Sequence, residues 1–210
     1  MTADLQKIVE AISEAVVVAS TSFREDQIEA YERAVRREEN ENARWALQLI
    51  LDNARISQAK RRYPLCDDTG TPHLYVEVGR EVSLPRGFFK ALAEGVREGL
   101  RRLPARPMAV KGDKIERIAQ SRGLYDDPGE LVPTPPVIEE VEGDNVKVTV
   151  MMLGGGPELR SKTYRIYHLK SAERVFRETA SWAVEQVAQL GCTPCVPCIG
   201  IGRTHYEATT

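Results

Sequence analysis

The strongest constraint in this chain is a helical periodicity that fills its first third. Leu5, Ile8, Val9, Ile12, Val16 and Ala19 recur at steps of three and four, and Ala43, Ala46, Leu47, Ile50, Leu51 and Ala54 repeat the pattern. Such spacing puts one apolar stripe on a helix and is wrong for a strand. Thr2 is placed to cap the first helix, and Ser22 to Asp26 reads as a break before a charged helix through Tyr31 and Val35. The charge run Arg36 to Glu41 reads as a solvated face or a helix junction. Pro64 closes a helical part that covers residues 1–62.

Beyond it the pattern changes. Cys66 to Pro72 reads as a loop, and His73 to Val78 alternates apolar with polar residues, as a half-buried strand does. A helix follows from Pro85 to Arg102, with Pro85 in its first turn and Phe89, Leu92, Val96 and Leu100 on the buried side. Pro104 to Pro136 is rich in Pro, Gly and Asp; its length favours a binding loop over a plain linker, with a short helix at Lys114 to Ala119. Val137 to Val141 and Val146 to Leu153 flank Glu-Gly-Asp-Asn, which predicts a hairpin. A last long helix, Lys170 to Leu190, turns Phe176, Ala180, Ala183, Val187 and Leu190 inward, and Gly191 caps it ahead of a Cys-rich loop. The expected class is therefore mainly α with a small β element (α+β).

Composition narrows the function. With 29 Lys and Arg against 31 Asp and Glu, the net charge of −2 argues against a nucleic-acid partner. No apolar run approaches the ~20 residues of a membrane span. The acids within the first stripe are unlike a signal peptide, so a cytoplasmic location is expected.

There the cysteines stay reduced. Cys192, Cys195 and Cys198 form C-x2-C-x2-C, and Cys66 stands far away in sequence. Thiolates so crowded point to a soft metal, as an iron–sulfur cluster or as zinc, with buried thiols the plainer alternative. Pro64-Leu-Cys-Asp-Asp-Thr-Gly-Thr-Pro sets a thiol beside two carboxylates, which suits either proton transfer or an Asp-rich turn. Gly154, Gly155 and Gly156 allow close backbone approach to an anion, and equally a flexible turn. Arg106 could fork onto a carboxylate or simply be solvated.

Taken in order, these segments resemble the α region of class I iron–sulfur fumarase and L(+)-tartrate dehydratase. Residues 64–72 are similar to P-[IL]-C-Q-D-T-G-T, Ala105-Arg-Pro-Met-Ala-Val to L-R-P-N-x-V, and Gly154-Gly-Gly-Pro-Glu to G-G-G-S-E. Cys192-Thr-Pro and Ile199-Gly-Ile-Gly are similar to C-P-P and G-V-G-I-G. The resemblance implies a single α-type domain over 1–210, with 63–210 binding cluster and substrate. It implies a hydro-lyase acting on a dicarboxylate such as fumarate, malate or tartrate. The cofactor would be a [4Fe–4S] cluster on Cys66 and Cys192 with one open iron, and Asp68 would be the catalytic acid or base. Arg106, Asp67 and Gly154 to Gly156 would contact substrate, a β subunit would complete the enzyme, and α chains would pair as a homodimer.

The chain also departs from the pattern. Asp67 stands where the family has Gln, Leu159 where it has Asn, and Arg203 where it has a second glycine. The family's third cluster cysteine lies further along than residue 210, so Cys195 or Cys198 is expected to replace it, unless the chain is a fragment or another polypeptide supplies it. If all four thiols bind metal, the open iron is lost, leaving a non-catalytic metal-binding or assembly homologue, or a zinc-stabilised structural domain.

Overall fold

The structure is a computed structural model that describes residues 2–60, 63–66, 70–103, 109–131, 133–154, 161–187, 189 and 197–209. It divides into two compact units, Met1–Gly155 and Gly156–Thr210.

The first unit opens with three helices, α1 (Ala3–Thr21), α2 (Glu25–Arg37) and α3 (Glu41–Lys60). Thr2 caps α1 through its hydroxyl, which accepts from Leu5 N–H at 3.5 Å. The charge run after Val35 is a junction: α2 ends at Arg37 and α3 begins at Glu41. Strand β1 (Thr71–Gly79) leads to α4 (Phe88–Arg102), the short α5 (Lys114–Ala119), a 3-10 turn at Pro128–Glu130, and strands β2 (Val137–Val141) and β3 (Val146–Leu153).

The sheet order is β2-β1-β3, with β2 parallel and β3 antiparallel to β1. The predicted hairpin is therefore corrected. Both strands form where expected, but β1 lies between them. Their connector bends around the end of β1, where Gly79 N–H donates to Asn145 O and Glu81 N–H to Gly143 O. A Cβ on Gly79 would stand 2.3 Å from Gly143 O, so a bare backbone is what lets the connector pass.

Alternation along β1 turns Pro72, Leu74 and Val76 inward and leaves His73, Tyr75 and Glu77 half-buried on the opposite face. The core joins Leu74 and Val76 to Ile12, Val16 and Val17 of α1 and to Phe88, Leu92, Val96 and Leu100 of α4. Val146, Val148, Val150 and Met152 of β3 pack against the same cluster. One sheet face thus carries both helices.

Those helices touch closely. A Cβ on Gly95 would lie 2.6 Å from Ile12 Cβ and 2.9 Å from Val9 O; one on Gly99 would lie 2.6 Å from Val16 Cβ and 3.0 Å from Ser13 O. The order of these contacts shows that α1 and α4 run in the same direction. Two details of α4 differ from expectation. It starts at Phe88, because Gly87 holds a left-handed φ of 94° as N-cap, and Pro85 sits in the preceding turn, accepting from Phe88 N–H. Consequently Phe88 is buried and Phe89 is 45% exposed.

In the second unit, α6 (Ala172–Val187) has no fully buried residue, and α7 (His205–Thr209) is one short turn. The expected inward side of α6 is corrected in part: Phe176 and Ala180 are exposed, while Ala183 and Val187 lie on the less exposed face together with Val175, Thr179 and Trp182. Tyr164 packs against Trp182 with ring centroids 5.6 Å apart, which draws that side of the helix inward. Leu190 and Gly191 lie outside the described residues. Among the described residues no helix is long and apolar enough to cross a membrane.

Candidate functional site

The stretch leading to Cys66 is tied to α1 and α3. Leu65 N–H donates to Ser20 O at 2.9 Å, fixing the start of the loop to the last turn of α1. The Ser57 hydroxyl of α3, fully buried, faces Thr21 O at 2.9 Å and also Tyr63 O. One hydroxyl proton thus stands between two carbonyls, the contact with Thr21 O buried and that with Tyr63 O part-buried. Cys66 follows directly and is exposed.

The far end of the loop is fixed by Gly70. It is buried, with φ 90°, and a Cβ there would lie 1.9 Å from Leu153 O and 2.7 Å from Gly154 N. Only glycine tolerates both the left-handed backbone and that approach. Thr71 then pairs with Leu153 as the first residue pair of β1 and β3. The register therefore brings two distant motifs together: the loop ending at Gly70 and the triple glycine starting at Gly154. Asp67, Asp68, Gly155 and Gly156 lie outside the described residues.

Arg106 is likewise outside them, but both flanks of its segment are placed. Leu103 and Ala109 are buried, at 5% and 1% exposure. Ala109 O accepts from Tyr125 N–H at 2.8 Å, and Val110 bridges to Leu124. On the helix side, Arg101 forks onto Asp127, with Nη2–Oδ2 at 2.7 Å and Nε–Oδ1 at 3.1 Å, while its Nη1 donates to Glu98 at 2.6 Å. Asp127 also accepts from Gly129 N–H at 2.9 Å. These bonds hold the Asp127 carboxyl below its ordinary value, the Arg101 contact first. From there the chain runs to Thr134, whose hydroxyl donates to Pro72 O at 3.2 Å. No local pattern announced the Arg101–Asp127 pair; its two residues are far apart in sequence.

Of the C-terminal cysteines, Cys198 is exposed, and Cys192 and Cys195 lie outside the described residues. The glycines after Cys198 are packing residues: a Cβ on Gly200 would meet Ala208 O at 2.0 Å, and one on Gly202 would meet Glu207 Cβ at 2.5 Å. Arg203 N–H donates to Glu207 at 2.7 Å and its guanidinium pairs with the same carboxylate, which lies below its ordinary pKa for that reason. The arginine found in place of a glycine is thus engaged within its own turn.

Among the described residues no three His, Cys, Asp or Glu side chains converge as a metal site. A cavity of about 440 Å³ lies along α1 and α4, lined by Glu10, Glu14, Glu98 and Arg102 among others. Arg102 is already bonded to Ser13 and Glu14, at 2.9 and 2.7 Å, so this cavity offers a dicarboxylate mainly repulsion.

The motif order now has a structural counterpart, and comparison with known proteins decides the family. The family described as fumarate hydratase (Fumerase) matches residues 9–210. The chain belongs to that family. A relative from Methanocaldococcus jannaschii, named "Putative L(+)-tartrate dehydratase subunit alpha", is 25% identical over 207 residues, covering 94% of this chain and 68% of the relative. Fumarate hydratases are hydro-lyases, so membership gives this chain its reaction class; substrate and partner are separate questions.

Proposed function

We propose that this chain is the α subunit of an iron–sulfur hydro-lyase that adds water to, or removes it from, a dicarboxylate of the fumarate, malate or tartrate type. One observation supports the reading above others: the Thr71–Leu153 pairing sets Gly70, where the segment that begins at Cys66 ends, against the start of the triple glycine at Gly154. Without that register the motif ending at Gly70 and the triple glycine starting at Gly154 would stand unconnected.

The donor set suits the cofactor. Cys66 with Cys192, and Cys195 or Cys198 as the remaining ligand, offers soft thiolates matched to iron and sulfide, and both described thiols are exposed rather than sealed in a core. When bound, a [4Fe–4S] cluster with one open iron supplies a Lewis acid for the substrate's carboxylate and hydroxyl. The chain's own groups do the rest. Asp68 holds or accepts the proton at its carboxyl oxygen. Arg106 forks onto a substrate carboxylate, and the N–H groups of Gly154 to Gly156 receive anionic oxygen. Asp67 adds a charge on the substrate side and biases the site toward a ligand carrying hydroxyls. The remaining clamps come from a β subunit, a role consistent with the relative's being named a subunit alpha. A single α-type domain over 1–210, pairing of α chains as a homodimer and cytoplasmic residence belong to the same reading.

The test is anaerobic purification followed by iron, sulfide and zinc analysis of wild type and Cys66→Ser. About four irons per chain, one of them labile, with loading abolished in the variant, is the expected result. A colourless zinc protein, or normal iron content in Cys66→Ser, refutes the assignment.

A further inference from the structure

Helix α3 is apolar on two opposite sides. Leu51, Ala54 and Ser57 form its buried side. Trp45, Leu49 and Ile56 lie on the other and are 68%, 53% and 49% exposed. At 3.6 residues per turn these three share one ridge with Glu41, Asp52 and Lys60, all of them exposed. A single exposed apolar residue needs no explanation. A ridge of three that includes a tryptophan, on the side away from the core, is a surface suited to being covered.

The ridge reads alike from both ends. From Glu41 to Lys60 its steps are four, four, three, four and four residues, so a second α3 laid against it antiparallel matches it position for position. In that register Trp45 faces Ile56 of the other copy, Leu49 faces Asp52, and Glu41 comes level with Lys60. Each match occurs twice about the two-fold axis. A parallel pairing would set Glu41 beside Glu41 and Lys60 beside Lys60, whereas the antiparallel one joins opposite charges and opposes the two helix dipoles. The central carboxylate is already satisfied: Asp52 accepts from Gln48 Nε2 at 2.8 Å and lies 3.7 Å from Arg55 Nη1. Asn42, Gln48 and Asn53 give the ridge uncharged polar flanks, as the rim of a protein contact has. A lipid surface fits poorly, since a carboxylate stands at the middle of the ridge.

We propose that two copies of this chain associate through antiparallel α3 helices, with Trp45 and Ile56 as reciprocal anchors. The pairing itself rests on the functional reading above, which includes a homodimer; surface, orientation and register come from α3. One helix from each copy buries on the order of 1,000 Å² in total, the low end for specific protein pairs, so the association is reversible and micromolar.

The experiment is sedimentation velocity of the full chain, purified anaerobically, at concentrations from about 1 to about 100 μM. Wild type should pass from monomer to dimer across that range. Ile56→Glu should weaken dimerisation about fiftyfold, since it removes an anchor on both sides of the axis and sets a charge against Trp45. Its pairing with Lys60 one turn on keeps the helix formed, which circular dichroism checks. Asp52→Leu should tighten the dimer about tenfold, a gain that misfolding cannot produce. Glu41→Lys and Lys60→Glu should each weaken it about fivefold and together restore it. The double variant has the less favourable charge at both ends of α3, so its recovery can come only from pairing between copies. A wild type that stays monomeric at ~100 μM overturns the inference together with the homodimer, while iron content still decides the cofactor. A dimer that Ile56→Glu leaves unchanged overturns the α3 surface and leaves the homodimer standing. Additive losses in the double charge variant overturn the antiparallel register.

Discussion

Adding one methyl group at Gly99 should push α1 and α4 apart. The new Cβ would sit 2.6 Å from Val16 Cβ, 2.9 Å from Val16 Cγ1 and 3.0 Å from Ser13 O. Ordinary contact needs close to another ångström, and none of these atoms can rotate away: two belong to a β-branched side chain that is fully buried and one is backbone. Overpacking of this kind costs ~1–3 kcal/mol, and the rigid neighbours put Gly99→Ala near the upper end. Replacing a mid-helix glycine returns about 1 kcal/mol through helix propensity, which leaves a net loss of about 2 kcal/mol. In urea denaturation the midpoint should fall by about 1 M with an unchanged slope. Gly95→Ala meets Ile12 Cβ and Val9 O in the same way and should behave alike. The double variant should cost less than the sum of the two, because helices already separated by one methyl have room for the second. Strict additivity, or a rise in stability from propensity alone, would refute the packing argument.

Three further outcomes follow from the same contacts. Gly70→Ala should abolish dicarboxylate binding and substrate turnover, because its Cβ would fall 1.9 Å from Leu153 O and the left-handed φ adds strain; activity assays beside circular dichroism would show loss of function exceeding loss of fold. Ser57→Ala should destabilise the first unit by ~1–3 kcal/mol, since Thr21 O loses its hydroxyl donor in a buried contact; thermal unfolding measures it, and no change would mean water or another donor reaches it. The Asp127 carboxyl is held below its ordinary value of 3.8, so its share of stability is complete above that pH and is lost as the pH falls through the lowered folded value. Asp127→Asn should therefore flatten the acid limb of the stability curve below pH 3.8, and identical limbs in both proteins would contradict the ion pair.

What the sequence reveals depends on the range of the interaction. Helices α1 and α3 are legible because burial imposes a local period, and α5 because Asp113 and Glu116 form a capping box around it. The strands are legible as segments, but not their pairing. Glu142 to Asn145 carries turn chemistry, yet nothing in those residues tells that β1 occupies the space between β2 and β3. Phe88 and Phe89 exchange roles because the helix start depends on the φ of Gly87. Phe176 misleads because a helix in a small unit has little to pack against, so its apolar residues need not be inside. In the candidate site, Cys66 and the glycines are readable as motifs, and the meeting of Gly70 with Leu153 and Gly154 is not, because it follows from a strand register. The Arg101–Asp127 bond is illegible for the same reason: it joins residues with no shared pattern.

The place of β1 carries a consequence for how the molecule comes into being. Of the three strands it is the first to be synthesised and it ends in the middle, flanked by β2 and β3. A chain growing on the ribosome can pair α1 with α4 early, but the innermost strand lacks a full partner on its second side until residue 153 has emerged. The loop ending at Gly70 gains its backing only then, since the wall behind it is Leu153. Binding competence is therefore among the last properties such a nascent chain acquires, and any release of the polypeptide short of that point would leave a hydrophobic ribbon looking for a stranger's edge.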